Sequence, residues 1–285
     1  WLHLEKKADE LRRLTVETTV WGGSGHIGGA LSAMDFMTTL YYRFLNADPK
    51  DPQKEDRDRF ILSKGHAAVG YAPLLCDYGF MDIEGLKNFN LTGSQFGMHL
   101  DCNKIKGVDA SSGSLGHGMS LAAGMALAGR VRGIDYMTYV LTGDGELNEG
   151  SNWEAAMTIA QFKITNTVVV VDANKCMIDG RVDDEMKVEP IDKKFEAFGF
   201  KTVRVDGQNI REINGALEQA VENHYSGGEQ PFCIVLDTYK GAGIDFMEDD
   251  YHWHYGALND ERYKACLASL DKYYETRVAR VEKEA

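Results

Sequence analysis

Apolar residues recur along this chain with two different spacings. Residues 4–19 carry them at every third or fourth position, which predicts an N-terminal helix. A second helix is expected at the C-terminal end, over residues about 260–283. Short runs made mostly of apolar and β-branched residues lie at YMTYVLT (136–142), TVVVVD (167–172) and FCIVLDT (232–238). Such continuous runs are typical of strands buried on both faces, as in a parallel sheet covered by helices.

Helical segments lie between the predicted strands. GMSLAAGMALAG (118–129) is rich in alanine, and SNWEAAMTIAQF (151–162) begins with Ser151 and Glu154 at the spacing of a capping box. Alternating strands and helices predict an open, mostly parallel α/β sheet with helices on both faces. Only five prolines and no Ser/Gly-rich linker occur, so we expect a single domain over residues 1–285.

Composition narrows the class of protein. The 285 residues are 44% hydrophobic and 26% charged, as in an ordinary soluble globular protein. A formal net charge of −13 argues against binding to nucleic acid or to an anionic membrane surface, so an anionic ligand needs local positive charge. No segment approaches the roughly 18 apolar residues of a membrane span, and we expect a cytoplasmic protein. The five cysteines form no CxxC pair, which predicts reduced core thiols and no structural zinc site.

GSGHIG (23–28) matches the GxGxxG pattern of dinucleotide-binding proteins. That fingerprint requires a strand directly before it and an acidic residue at the end of the next strand, about 20 residues later. The preceding segment has helical spacing, and residues 43–59 are polar and contain proline. We therefore assign no nicotinamide site to this motif.

A second glycine motif follows a predicted strand. In LTGDGELNEG (141–150), Asp144 stands between two glycines, while Asp172 closes the next predicted strand and Asn174 comes two residues later. Asp144 and Asp172 are both expected at the strand ends where a ligand would bind. GDG alone is a weak signal, since Asp-Gly also forms ordinary turns. In an open α/β sheet, however, ligands bind beyond the carboxyl ends of the strands, where neighbouring strand ends can converge. Carboxylate and amide oxygens suit Mg²⁺ or Ca²⁺, and a diphosphate, water and a backbone carbonyl would complete the shell.

GDG followed about thirty residues later by Asn resembles the thiamine diphosphate motif. Residues from about 10 to about 260 resemble the N-terminal, diphosphate-binding domain of transketolases, and in particular the smaller subunit of a two-subunit transketolase. Further stretches carry the resemblance in the family's order: SGHIGGALS (24–32), DRFILSKGHA (58–67), MHLD with His99, SSGSLGHGMSLAAGMALA (111–128) and KGAGIDFMEDDYHWHYG (240–256). Each stretch is moderately specific, whereas the ordered set is highly specific.

The resemblance implies a thiamine diphosphate-binding fold and a set of site residues. The divalent metal, Mg²⁺ or else Ca²⁺ or Mn²⁺, would be held by Asp144, Asn174 and the backbone carbonyl of Cys176. Glu149 matches an acid at the family's subunit interface and is counted with the cofactor site. The residues expected to line the cofactor are His66, Gly113, Leu115, Gly145, Lys240 and His254.

The glycine turn before the Ala-rich helix also fits an anion. Gly113, Gly116 and Gly118 would let the backbone approach the diphosphate, and the helix that they open is expected to offer free N–H groups. Lys240 would add a point charge. Together these groups would supply the positive potential that the acidic chain lacks as a whole.

By the same resemblance, His26, His66, His99 and His254 surround the thiazolium and the sugar hydroxyls. Neutral imidazole both donates and accepts hydrogen bonds, so it can relay the protons of carbon–carbon cleavage and formation. We expect His26 and His254 to shuttle protons at those hydroxyls, and His99 to orient the C1 hydroxyl of the donor sugar. His117 is given no catalytic role, and His3 and His252 are interpreted as structural. His224 is expected to be a solvated helix end, and the acidic residues of 245–250 are expected to form a solvated loop.

The implied activity is transfer of a two-carbon ketol unit from a ketose to an aldose, with the cofactor as electron sink. In the family a Glu of a second, pyrimidine-binding domain activates the cofactor, and most residues that bind the sugar phosphate belong to that domain. The chain ends at RVARVEKEA without one. We expect a separate partner subunit that carries it, with two copies of each chain in a heterotetramer; a cut longer protein is the alternative.

Other functions stay open. The first alternative is a subunit of a 2-oxo acid dehydrogenase E1 component, which shares the GDG site, and the second is a non-catalytic diphosphate-binding module. Deoxyxylulose-phosphate synthase is disfavoured by the missing second half and by GSLGHG. The sugars are also open, because split relatives use ordinary pentose phosphates or sulfonated or branched sugars.

Overall fold

Five strands form one open sheet in the computed structural model, which describes residues 1–283. The strands are β1 (Arg59–Leu62), β2 (Thr138–Gly143), β3 (Thr167–Ala173), β4 (Lys201–Asp206) and β5 (Phe232–Asp237). Their order across the sheet is β1-β2-β3-β5-β4, and each neighbouring pair is parallel. The predicted open, parallel α/β sheet is confirmed.

Helices cover both faces of this sheet. They are α1 (Leu2–Trp21), α2 (Ile27–Ser32), α3 (Met34–Thr39), α4 (Ala68–Tyr78), α5 (Gly118–Arg132), α6 (Gly150–Gln161), α7 (Val182–Glu185), α8 (Ile191–Phe198), α9 (Ile210–Tyr225) and α10 (Asp260–Lys283). Short 3₁₀ turns lie at Gly65–Ala67, Ile83–Asn88, Gly145–Asn148 and Tyr251–His254, and a π-helical turn at Leu40–Phe44. The helices expected over about 4–19 and 260–283 correspond to α1 and α10.

Successive side chains of the apolar strands are buried on opposite faces of the sheet. Every residue of β2 and β3 is buried. Val168 and Val170 pack into the cluster that includes residues of α1, α3, α4 and α9, whereas Val169 and Val171 pack against α5, α6 and α8. Burial of one such side chain contributes about 1.5–3 kcal/mol, so the alternation holds helices on both sides.

The edge strand β4 does not show the apolar-run pattern. Its sequence, KTVRVD, alternates charged with smaller apolar residues, and its side chains are only partly buried. At the edge of the sheet it pairs with β5. The strand β1 is four residues long and lies within the stretch DRFILSKGHA.

The start of α6 differs from the expectation. The helix begins at Gly150, so Ser151 lies inside its first turn. The Ser151 hydroxyl donates to the carbonyl of Gly116 across 2.8 Å. The capping-box prediction for Ser151 and Glu154 is wrong, because this hydroxyl bonds another segment of the chain rather than its own helix.

The buried Arg12 links α1 to α2, to α3 and to the segment that follows β5. Arg12 is 1% exposed and donates to both carboxylate oxygens of Asp35, at 3.0 and 2.7 Å. The same guanidinium donates to the carbonyl of Leu31 in α2 and to that of Ala242 after β5, at 3.4 and 3.3 Å. Arg277 of α10 binds Asp35 as well, which anchors the C-terminal helix.

Two expectations from composition can be compared with the structure. All five cysteines are free thiols, as predicted, but Cys102 is exposed while the other four are buried. Within residues 1–283, no helix combines the length and the apolar character that a membrane crossing requires.

Candidate functional site

A cavity of about 300 Å³ lies beyond the carboxyl ends of the strands. Its walls come from the segments that follow β1, β2, β3 and β5, from the start of α2, and from the long segment between α4 and α5. The lining residues are His26, Gly29, Lys64, His66, His99, Gly113, Leu115, Gly143, Asp144, Gly145, Glu146, Asn174, Cys176, Met177, Ile178, Lys240 and His254. The chain thus places its cavity where ligands bind in open α/β sheets.

Asp144 and the turn at Asn174 meet at this cavity. One Asp144 carboxylate oxygen accepts from the N–H of Gly145 at 2.7 Å, and the other accepts from the N–H of Lys175 at 2.6 Å. The Asn174 amide oxygen accepts from the N–H of Cys176 at 3.1 Å. The expected convergence of Asp144 with the segment of Asn174 is therefore present in the fold.

The electrostatics of Asp144 fit a cation. Burial, together with the nearby carboxylate of Asp172, raises the pKa of Asp144 to about 7. Lys240 and two backbone N–H groups favour the ionised carboxylate but do not offset its burial, and a divalent ion would supply further positive charge. Among residues 1–283, no three His, Cys, Asp or Glu side chains are grouped to hold a metal. An ion here would therefore depend on the Asn174 amide, a backbone carbonyl such as that of Cys176, and oxygens of its ligand.

Asp172 does not lie in the open site. It is inside β3, paired with Gly143, and is fully buried. Its carboxylate forms an ion pair with the ammonium of Lys64 and accepts from the hydroxyls of Ser32 and Thr238. Burial alone raises the pKa of Asp172, but Lys64 and these hydrogen bonds hold it below its ordinary value. Asp172 therefore neutralises and positions Lys64, a cavity residue that the sequence motifs did not single out.

A buried glutamate occupies the glycine turn that opens α5. One oxygen of Glu146 accepts from the N–H of Gly116 at 3.0 Å and from the Ser63 hydroxyl, and the other accepts from the N–H of Gly143 at 3.1 Å. The N–H of Gly118 donates to the Ser63 hydroxyl at 3.2 Å. The prediction that these N–H groups are free for an anion is wrong for Gly116 and Gly118, because Glu146 and Ser63 already accept from them.

Lys240 is the cavity's ammonium without an ion-pair partner at hydrogen-bond distance among the described residues. Its side chain is 1% exposed and donates to the carbonyl of Met177 at 3.0 Å and to Nδ1 of His254 at 2.9 Å. Burial lowers the pKa of Lys240 to about 8, so the ammonium form still predominates at pH 7. Of its three N–H bonds, one remains for a ligand.

Three imidazole rings contact one another on one wall of the cavity. The ring centroids of His26 and His66 are 5.1 Å apart, those of His26 and His254 5.3 Å, and those of His66 and His254 5.1 Å. Burial, aided by the neighbouring lysines and histidines, lowers the pKa of His26 to about 4, of His254 to about 3 and of His66 to about 2. All three rings are therefore neutral at pH 7.

His99 is set apart from these three rings. It lies on the more exposed side of the site, and burial lowers its pKa. Gly113 packs against its ring: a Cβ at Gly113 would lie 2.7 Å from Cδ2 of His99, and the backbone there has φ +141°. Only glycine combines this conformation with so close an approach.

The structure brings together the expected metal, cofactor and histidine residues with one exception. Glu149 does not line the cavity; it is exposed, and its Cβ lies beside Gly116. Its role at a subunit interface stays a prediction. The lining residues that sequence reasoning missed include Lys64, Glu146 and Met177. The first two lie in the quoted motifs SKGHA and GDGEL, one or two residues from predicted site residues.

The histidines and acids given no catalytic role lie outside the cavity. His252 is exposed and pairs with Asp250. His224 was expected to be solvated, but it bonds the Thr165 hydroxyl at 2.9 Å and Asp135 at 3.1 Å, so that prediction is wrong. In the acidic segment 245–250, Asp249 pairs with Arg181, in keeping with a solvated loop.

Comparison with known proteins matches residues 4–271 to the family described as transketolase, thiamine diphosphate binding domain. One subunit of the apulose-4-phosphate transketolase of Actinobacillus succinogenes is 39% identical over 268 residues, which cover 94% of this chain and 95% of the relative. A 6-deoxy-6-sulfo-D-fructose transketolase subunit of a Clostridium species is 37% identical over 271 residues, which cover 95% and 97%.

A solved structure shows the same fold. The transketolase of Campylobacter jejuni superposes with a TM-score of 0.85 at 30% sequence identity. The match covers 98% of this chain but 47% of that enzyme. The chain therefore spans less than half the length of the solved transketolase, and nearly the whole length of the two subunits above.

Proposed function

The chain belongs to the transketolase family, and on that premise we propose that it is the thiamine diphosphate-binding subunit of a split enzyme that transfers a two-carbon ketol unit from a ketose to an aldose. One observation supports this most: three neutral, mutually contacting imidazoles share a cavity with Asp144 and the turn of Asn174. A cation site beside several proton-relaying groups suits carbon–carbon transfer at hydroxylated carbons.

In this proposal Asp144, the Asn174 amide oxygen and the carbonyl of Cys176 would hold a divalent ion for the diphosphate of the cofactor, and the ion would neutralise the buried carboxylate. Lys240 directs its remaining N–H at the anion. When bound, the cofactor supplies the electron sink for cleavage of a C–C bond next to a carbonyl.

In the same proposal, residues of this chain bind the hydroxyls of the sugar. His26, His66 and His254 form a wall of neutral donors and acceptors for its hydroxyls, and His99 orients the C1 hydroxyl from the more exposed side. The expectation that His26 and His254 shuttle protons at the reacting hydroxyls is taken up here as contact of both rings with those hydroxyls, with proton transfer by at least one of them.

A partner subunit completes the site. Relatives of nearly the same length are named as subunits of transketolases. We propose that the partner carries the pyrimidine-binding domain, that the assembly contains two copies of each chain, and that Glu149 lies at the interface, since it is exposed next to the glycine turn.

The names of two relatives support a proposal about the substrate class. They refer to apulose 4-phosphate and to 6-deoxy-6-sulfo-D-fructose. We propose that this enzyme acts on a ketose with an anionic end, phosphate or sulfonate, which the partner binds. Lys240 has no ion-pair partner among the described residues, but in the same proposal it binds the diphosphate. It is therefore not assigned to the anionic end of the sugar.

The test is reconstitution with the candidate partner. The chain and the partner are purified together, supplied with thiamine diphosphate and Mg²⁺, and given xylulose 5-phosphate, apulose 4-phosphate or 6-deoxy-6-sulfofructose with an aldose acceptor. A parallel assay supplies a 2-oxo acid instead of the sugars. Formation of a new ketose, detected by mass spectrometry, is expected only with both subunits present. Turnover by this chain alone would refute the split enzyme, and decarboxylation of a 2-oxo acid instead would favour the E1 alternative.

A histidine variant tests the roles within the site. His26→Ala is expected to cut turnover far more than the affinity for thiamine diphosphate, because the ring acts on the sugar rather than on the diphosphate. Calorimetric titration measures the affinity. His252→Ala, an exposed histidine outside the cavity, is the matched control. An equal loss of turnover and cofactor affinity in His26→Ala would contradict the assignment.

A further inference from the structure

Met98 contacts one of the three central histidines. Its sulfur lies 3.2 Å from Nδ1 of His26, within reach of an N–H···S hydrogen bond. A thioether carries no proton and can only accept a hydrogen bond. His26 is neutral at pH 7, so one of its two ring nitrogens carries the single proton. The contact with Met98 is favourable when that proton is on Nδ1.

His254 has the opposite neighbour. The ammonium of Lys240 lies 2.9 Å from Nδ1 of His254, and an ammonium can only donate. Nδ1 of His254 therefore accepts, and the proton of this neutral ring is on Nε2. Among the described residues, neither His26 nor His254 uses Nε2 in a hydrogen bond, so both Nε2 atoms remain for a ligand.

We propose that Met98 and Lys240 are positioning residues that set opposite tautomers in the two rings: His26 presents an unprotonated Nε2, and His254 presents an Nε2–H. The inference that these nitrogens act on the sugar rests on the proposed function. The tautomers themselves follow from the chain alone.

The two tautomers give His26 and His254 different roles in the reaction. Cleavage of the ketose converts a hydroxyl into a carbonyl and releases one proton, which Nε2 of His26 accepts to form an imidazolium that keeps its N–H toward Met98. The same proton returns to the oxygen of the acceptor aldehyde as its carbonyl becomes a hydroxyl, so the proton balance over the cycle is zero. His254, a neutral ring with its Nε2 already protonated, donates a hydrogen bond to a sugar oxygen and transfers no proton.

The first test needs no partner and no cofactor. In the ¹⁵N-labelled chain at pH 7, two-bond and three-bond couplings from the ring protons to the imidazole nitrogens identify each tautomer. The expected result is a protonated Nδ1 in His26 and a protonated Nε2 in His254. A wild-type spectrum with the proton on Nε2 of His26, or on Nδ1 of His254, overturns the proposal.

Variants of Met98 separate the tautomer effect from packing. Met98→Leu keeps the volume but removes the acceptor, and it is expected to move the His26 proton to Nε2 in a large fraction of molecules. Met98→Gln restores an acceptor and is expected to restore the wild-type spectrum. Met81→Leu, a methionine packed against the main core away from the cavity, is the control. Identical His26 spectra in Met98→Leu and the wild type contradict the role of Met98.

The assembled enzyme supplies a second readout. With the partner subunit, Met98→Leu is expected to lower kcat about 5- to 20-fold with less than a twofold change in KM and in thiamine diphosphate affinity, and Met98→Gln to recover most of kcat. Equal kcat values in Met98→Leu and the wild type would overturn the catalytic part. An inactive wild-type assembly would instead count against the proposed function, because the spectra stand without it.

Discussion

Gly25 and Gly256 exchange two backbone hydrogen bonds of 3.0 Å each, so that the segment carrying His26 is bridged to the segment carrying His254. A third hydrogen bond of the same length joins the N–H of Gly241, next to Lys240, to the carbonyl of Gly28. These backbone contacts hold two of the central imidazoles and the ammonium in one frame, although residues 25–28 lie far from residues 240–256 in sequence.

Gly28 is a tightly packed position in this frame. A Cβ at Gly28 would lie 2.5 Å from the carbonyl oxygen of Trp253 and 2.7 Å from Cγ of Lys240. Gly28→Ala is therefore expected to lower the free energy of unfolding by about 1–3 kcal/mol and to reduce turnover more than tenfold. Urea denaturation and the reconstituted assay measure the two effects.

The control for Gly28→Ala is Gly215→Ala in the middle of α9, where a Cβ meets no atom within 4 Å. That variant is expected to raise stability by about 0.5–1 kcal/mol, since alanine is the better helix residue. Wild-type activity in Gly28→Ala would show that the frame tolerates displacement.

The ion pair of Lys64 and Asp172 is completely buried, with side-chain exposures of 2% and 0%. Asp172→Asn leaves the ammonium without its negative partner and is expected to destabilise the fold by about 3–5 kcal/mol. Combining it with Lys64→Met, which removes the stranded charge, is expected to recover part of the loss. Chemical denaturation of the four proteins of this cycle is the measurement.

An exposed pair provides the comparison. Arg132 and Glu55 are 53% and 70% exposed, so Glu55→Gln is expected to change stability by less than about 1 kcal/mol. If Asp172→Asn lowered stability no more than Glu55→Gln does, Asp172 would not have the neutralising role assigned to it.

The carboxyl group of Asp144 predicts a dependence of stability on pH. Its pKa is about 7 in the folded chain and 3.8 ordinarily, so between these values the folded chain keeps a proton that the unfolded chain has released. In the absence of metal, its contribution to stability is therefore fully present below pH 4 and is lost as pH rises toward 7. Relative to the wild type, Asp144→Asn is expected to gain stability across this window, by at most about 1.4 kcal/mol per pH unit.

Metal reverses this ranking. With Mg²⁺ and thiamine diphosphate present, the wild type is expected to be stabilised more at pH 8 than at pH 6, because the ion needs the ionised carboxylate. Asp144→Asn should show little of this stabilisation, and chelation with EDTA should remove it from the wild type. Thermal denaturation reports both effects, and Asp245→Asn, in the exposed acidic loop, is the control. Equal stabilisation of Asp144→Asn by the metal would exclude Asp144 as a ligand.

Arg12 is expected not to tolerate lysine. Its guanidinium binds both oxygens of Asp35 and two backbone carbonyls, a geometry that a single ammonium cannot reproduce. Arg12→Lys should cost about 1–3 kcal/mol of stability. Arg13→Lys, one residue along the same helix with partly exposed partners, should cost no more than about 1 kcal/mol. Equal losses of stability in Arg12→Lys and Arg13→Lys would argue against this role of the Arg12 guanidinium.

Much of the fold could be predicted because its signals are local. The runs at β2, β3 and β5 are apolar on both faces, which parallel strands require and few other structures use. The strand β4 could not be predicted in this way, since an edge strand with alternating charges resembles a loop. The start of α6 could not be predicted either, because Ser151 bonds a carbonyl 35 residues away rather than its own helix.

The sequence by itself determined the buried strands of the sheet, the family, and most of the polar residues that lie at the strand ends, because apolar runs and short motifs consist of neighbouring positions. Only the tertiary structure decided how those residues are charged and paired. Glu146 accepts hydrogen bonds from glycine N–H groups that were expected to be free for an anion. Asp172 neutralises Lys64, and burial keeps the central histidines uncharged. These properties depend on distance and desolvation between segments far apart in the chain, which spacing along a sequence does not encode.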